Sequence, residues 1–150
     1  MKVGINLVNH ASMTARTFAP AVHGLIDRIR EGHPDIPVLV VSPIFCPIAE
    51  DRPGPTVPAA DGGFETLDAD PRLRPGSLTL GGIRSSVASI VEIRRNLGDQ
   101  QLFHLDGLRL FGAADEPLLY DRLHPTPEGY ALLGSRFADL AFGMGGPLAG

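Results

Sequence analysis

The sequence predicts an α/β domain in which an open parallel sheet is covered by helices on both faces. Three observations predict it. Short apolar runs alternate with longer segments of helical periodicity. The run PVLVVS at 37–42 is β-branched, apolar on both faces and bounded by prolines, as strands buried in parallel sheets are. A length of 150 residues suits one such domain and leaves little for a second core.

Taken in order, residues 2–7 read as a short first strand. Thr14 and Thr17 then offer N-caps for a helix on which Phe18, Val22, Leu25 and Ile29 recur at helical spacing. Pro20 is expected in its first turn, where a missing N–H costs little, and Gly32 with Pro34 stops it. PVLVVS supplies the next strand and completes a βαβ unit. Residues 43–78, with CPIAEDRPGPTVPAADGG, carry proline and glycine too densely for helix or sheet. They predict a long surface excursion, either the wall or lid of a site or a poorly ordered insert.

A second helix follows Ser77 or Thr79, with Ile83, Val87, Ile90 and Leu97 on one face and Gly98 as its stop. QLFHLDGLRLFG at 101–112 reads as a third strand, with the part beyond Gly107 open to reading as a hairpin arm. Thr126 caps the last helix, Pro127 takes its first position, and Glu128 suits the positive end of its dipole. Tyr130, Leu133, Phe137 and Leu140 form its buried stripe. The Gly-rich tail 143–150 is expected to fray.

Composition narrows the function. Hydrophobic residues are 43% and charged residues 20% of the chain, which supports a packed core and argues against disorder. The net charge of -4 and the scattered bases give no footprint for nucleic acid. The one cysteine, Cys46, has no partner for an internal disulfide. No run approaches the roughly 20 apolar residues of a membrane span. The start lacks a signal-like apolar core with a cleavage site, so a cytoplasmic location is the expectation.

In open parallel sheets, ligands bind beyond the carboxyl ends of the strands. Those ends carry Asn6, then Ser42 and Pro43, then residues 106–124, and their polar groups are expected to converge. His124 has the chemistry of a general base near neutral pH, and Asp121 is close enough in sequence to fix its tautomer and stabilise the imidazolium. The local alternative is an exposed loop histidine beside an aspartate that caps a turn. His10, His23, His33 and His104 lie on separate elements without ligand spacing, so no metal is implied; His10 is a candidate pocket residue. Cys46 reads as a buried thiol.

DRLHPTPEGYALLG resembles the last conserved block of the SGNH hydrolases, also called GDSL esterases and lipases, in which Asp-x-x-His-Pro precedes the final helix. VGINLVN resembles that family's Gly-x-Asn block after a strand. RTFAPAVHGLIDRIREGHPDIPVLVVSPI between them is similar to the helix and strand found there. The resemblance covers essentially the whole chain. It implies a three-layer α/β/α fold with a flavodoxin-like parallel sheet whose N-terminal strands are missing here. It also implies hydrolysis of a small ester through an acyl-serine, with no cofactor. His124 would be the base, Asp121 its orienting carboxylate and Asn6 a donor to the oxyanion, with Gly4 a packing residue. Leu7 stands where an aspartate often follows the asparagine.

The Gly-Asp-Ser block that carries the family's nucleophile is absent from the sequence. Three readings follow: the C-terminal part of a longer hydrolase, a non-catalytic binding or interaction domain, or relocation of the nucleophile to a local serine such as Ser42. With the family's first strand missing, the edge of the strand at residues 2–7 would be bare, which predicts self-association of this chain alone.

Overall fold

A computed structural model describes residues 1–67 and 75–149. The middle of the predicted excursion, residues 68–74, lies outside them, as does Gly150. The elements are α1 (Ile5–Asn9), α2 (Ala15–Gly32), β1 (Val38–Val41), β2 (Thr56–Pro58), β3 (Phe64–Thr66), α3 (Leu80–Asn96), β4 (Leu102–Leu105) and α4 (Pro127–Phe142). Short 3₁₀ turns cover Gly107–Arg109 and Ala113–Leu118.

β1 and β4 pair in parallel, from Val38 opposite Leu102 to Val41 opposite Leu105. Residues 1–3 add a partial third member on the other side of β1. Lys2 bridges Val41 in parallel, and the Met1 carbonyl accepts from Val41 N at 2.7 Å. The chain does not continue as the strand expected over residues 2–7. Gly4 adopts φ 150° and ψ -77°, and a Cβ there would lie 2.3 Å from Pro43 Cγ. Only glycine fits both the dihedral and the contact, so the backbone turns there and residues 5–9 coil as α1.

Side chains alternate across β1 and find helices on each side. Val38 and Val40 join Phe18, Val22 and Ile26 of α2 and Leu80, Ile83, Val87, Ile90 and Val91 of α3 in one buried cluster. Leu39 and Val41 join Leu105, Leu110 and Ala141 in another, against which Leu133, Phe137 and Leu140 of α4 pack. Burial of each such aliphatic side chain is worth about 1.5–3 kcal/mol, which makes these two faces the main stabilising surfaces. The result is an α/β fold with a small parallel sheet and helices. No helix of the described residues is long and apolar enough to cross a membrane.

α2, α3 and α4 begin where their caps predict and depart from expectation in detail. Thr14 caps α2 together with Thr17, whose Oγ1 accepts from Thr14 N at 3.1 Å. Pro20 falls in the second turn, and the buried row is Phe18, Val22 and Ile26, leaving Leu25 46% exposed. Thr79 caps α3 by accepting from Gly82 N at 3.0 Å. Leu97 lies beyond the end of α3 and is 82% exposed; Val91 fills the core instead. Tyr130 is likewise on the exposed side of α4.

Three loop expectations are corrected. The excursion contains an antiparallel hairpin, Thr56 opposite Thr66 and Pro58 opposite Phe64, in which Pro58 sits at the strand end where its missing N–H is tolerated. The third strand stops at Leu105, because Asp106 Oδ1 accepts from Leu108 N at 3.0 Å and starts a 3₁₀ turn in place of a hairpin arm. The tail folds back, with Leu148 N donating to Ala141 O at 2.9 Å.

Candidate active site

The segment between the second 3₁₀ turn and α4 is closed on itself. Leu119 bridges Pro125, Tyr120 N donates to His124 O at 3.1 Å, and Thr126 N donates to Leu118 O at 2.7 Å. Inside this loop Asp121 is 7% exposed. Its Oδ1 accepts from Leu123 N at 2.9 Å and His124 N at 2.7 Å, and its Oδ2 lies 2.6 Å from His124 Nδ1. Burial alone pushes the Asp121 carboxyl upward. The hydrogen bonds from the His124 ring, His124 N and Leu123 N outweigh it and hold the group below the usual carboxylate range. A carboxylate on Nδ1 makes that nitrogen the donor and leaves Nε2 as the basic position.

His124 is also held by rings. Tyr120 stacks on it at 5.9 Å and 21°, and Phe64 of β3 meets it edge-on at 5.5 Å and 72°. The imidazole remains 45% exposed and opens on a cavity of about 140 Å³. Asn6 from α1, Pro43 from the end of β1 and His124 all line this cavity, so three of the predicted strand-end residues converge. Ile5, Ile44, Leu123 and Leu133 give it apolar walls.

Ser42 does not join them. It is fully buried, its Oγ accepts from Gly107 N at 3.1 Å, and it faces Asp106 Oδ1 at 3.5 Å. Tying β1 to β4 in this way removes it from any substrate, which overturns its reading as a relocated nucleophile. Cys46 reaches the cavity wall but is 2% exposed, and burial pushes its thiol up to about 11. Its Sγ donates to Arg122 O at 3.4 Å. His10 is exposed at the end of α1 and is not part of the cavity lining. Among the described residues no group of three His, Cys, Asp or Glu side chains gathers as a metal site.

Sequence reasoning missed several neighbours. Asn9 lines the cavity one turn from Asn6, with its Oδ1 accepting from Thr56 Oγ1 at 2.9 Å. The i, i+3 spacing of the two asparagines was the available signal, hidden by reading residues 2–7 as a strand. Lys2 brings a cation to the same lining. Phe64, Tyr120 and Arg122 surround the dyad with no sequence signal beyond their closeness to it or their place in the excursion.

No protein-family model matches the chain, and no curated protein matches it. Among solved structures it is similar to the salicylyl-acyltransferase SsfX3 from a tetracycline biosynthetic pathway, with a TM-score of 0.67 and 22% identity. The match covers 91% of this chain and 34% of that one, so the chain spans about a third of that protein's length. The likeness establishes a shared α/β fold.

Proposed function

We propose that this chain supplies the acid–base and oxyanion half of an SGNH-type acyl-transfer site, on a three-layer α/β/α domain with a flavodoxin-like sheet. The carrying observation is the Asp121–His124 pair at 2.6 Å, opening on the cavity that Asn6 also lines. In this reading His124 Nε2 takes the proton of a serine hydroxyl as its oxygen attacks an ester carbonyl. Asn6 donates to the oxygen that becomes negative, and Asp121 stabilises the imidazolium. Collapse breaks the ester C–O bond, and Nε2 passes its proton to the departing alcohol. Water, activated in the same way, then frees the acid and the serine.

The small apolar cavity suits a compact acyl or alkyl group. The named activity of SsfX3 is acyl transfer as well, and the same steps with an acceptor alcohol in place of water give a transferase. No serine lines the cavity among the described residues, so the reading requires it from a Gly-Asp-Ser segment outside this sequence. The buried state of Ser42 favours, as the second reading, a non-catalytic binding domain.

The test begins with the in-frame coding sequence upstream of Met1, read for Gly-Asp-Ser. The chain extended by that segment should hydrolyse a short p-nitrophenyl ester, and His124→Ala should lower kcat by roughly 10²–10⁴-fold. Turnover indifferent to His124→Ala would overturn the assignment. Absence of both the segment and turnover would leave the binding domain.

A further inference from the structure

The hairpin β2–β3 does more than cover the Asp121–His124 loop. Arg122, between the two, has φ 70°, a left-handed conformation that side chains other than Gly, Asn and Asp rarely take. Such a residue persists where its surroundings over-determine it. Its guanidinium supplies that determination: Nη1 and Nη2 bond Asp61 Oδ2 and Oδ1 at 2.8 and 2.7 Å, and Nε bonds Phe64 O at 3.0 Å. Phe64 N in turn donates to Asp121 O at 3.0 Å, and its ring rests on His124. Gly63 makes room for this arrangement, since a Cβ there would lie 2.7 Å from Arg122 Nη2 and 3.1 Å from Asp121 O.

We propose that Asp61, Arg122 and Phe64 form a clamp that positions His124 by fixing the backbone of the Asp121–His124 loop from the hairpin side. The inference rests on reading His124 as the acid–base group. None of the three residues needs to touch substrate; they act through the loop. The clamp has three separate points on the loop: the Arg122 backbone dihedral, the Asp121 carbonyl and the His124 ring. Releasing the guanidinium frees the first directly and loosens the other two through Phe64. The Asp61–Arg122 pair is largely solvent-facing, with side chains 62% and 43% exposed, so salt should weaken it. A bidentate charged fork is nevertheless directional enough to hold one geometry.

The test uses the whole chain and needs no turnover. The His124 Nδ1 proton, bonded to Asp121, is followed by NMR as a downfield resonance, together with its exchange with water. Arg122→Gly is the informative variant, because glycine keeps the positive φ freely while the fork is lost. Asp61→Asn removes the charge with little change of shape, and Gly63→Ala pushes the guanidinium aside. All three should quicken exchange of that proton by about tenfold or more, as a local opening does. The thermal midpoint of Arg122→Gly should stay within about 4 °C of the parent, so that the change is one of position and not of folding. Raising NaCl from about 0.05 to about 1 M should quicken exchange in the parent and leave Arg122→Gly unaffected. Unchanged exchange in Arg122→Gly and Asp61→Asn would overturn the clamp whether or not esters are hydrolysed. Ester turnover indifferent to His124→Ala, with the exchange effects intact, would overturn the function and leave the clamp standing.

Discussion

At Asp121, three hydrogen bonds converge on one carboxylate that is 7% exposed, and two of the donors are backbone N–H groups of the same loop. Removing the acceptor leaves those part-buried donors without partners, and each such loss typically costs about 1–3 kcal/mol where the donor stays out of water. Asp121→Ala should therefore destabilise the chain by about 2 kcal/mol in urea unfolding, besides freeing His124 to change tautomer. The pH dependence follows from the direction of the shift. The folded carboxyl titrates below its unfolded value of about 4, so the unfolded chain binds the proton first as pH falls. The contribution of Asp121 is complete above that value and is lost as pH falls from there through the lower folded value. Urea midpoints across this window should fall less steeply in Asp121→Asn than in the parent; equal slopes would place the linkage elsewhere.

At the scale of elements, α4 and the site loop share one residue. Thr126 Oγ1 accepts from Gly129 N at 3.1 Å as the N-cap, while Thr126 N bonds Leu118 O and closes the loop behind His124. Thr126→Ala keeps the backbone bond and loses the cap, for an expected loss of about 1 kcal/mol, read as a lowered thermal midpoint. Caps of this kind explain what the sequence made legible. Thr14, Thr79 and Thr126 stand before i, i+4 apolar rows long enough to declare their period, and PVLVVS has no helical alternative at its length. The five residues of α1 carry no side-chain cap, and Gly4 had to be seen against Pro43 before the turn there had a cause. The hairpin was hidden for another reason: its prolines and glycines are turn residues, and its partner lies far along the chain. Arg122 meets Phe64 across 58 positions, a separation at which no local pattern reports contact. Asp121 and His124 were legible because they stand just before a capped helix, and Asn6 because it ends the first apolar run, although it lies in α1 and not at a strand end; Asn9, Asp61 and Phe64 became visible only through packing.

For the molecule as a whole, the proposed acyl transfer turns on whether the cavity contains a nucleophile. Its lining includes His124, Asn6, Asn9 and Lys2, but no serine or threonine among the described residues. Ser42, the nearest strand-end hydroxyl in sequence terms, is sealed between β1 and the turn after β4. Cys46 has its thiol pushed up to about 11 by burial, so the reactive thiolate is scarce at pH 7. The sequence as it stands should therefore form no acyl-enzyme. With p-nitrophenyl acetate in excess it should release p-nitrophenol without a burst and no faster than a free imidazole of equal concentration, and Cys46→Ala should change nothing. A burst of about one equivalent that survives Cys46→Ala, disappears in His124→Ala and leaves the acetyl group as an oxygen ester on a serine or threonine, not on an imidazole or amine nitrogen, would show that a hydroxyl of this chain reaches Nε2. In that case the site is complete without a Gly-Asp-Ser segment, and the division of labour proposed above is wrong.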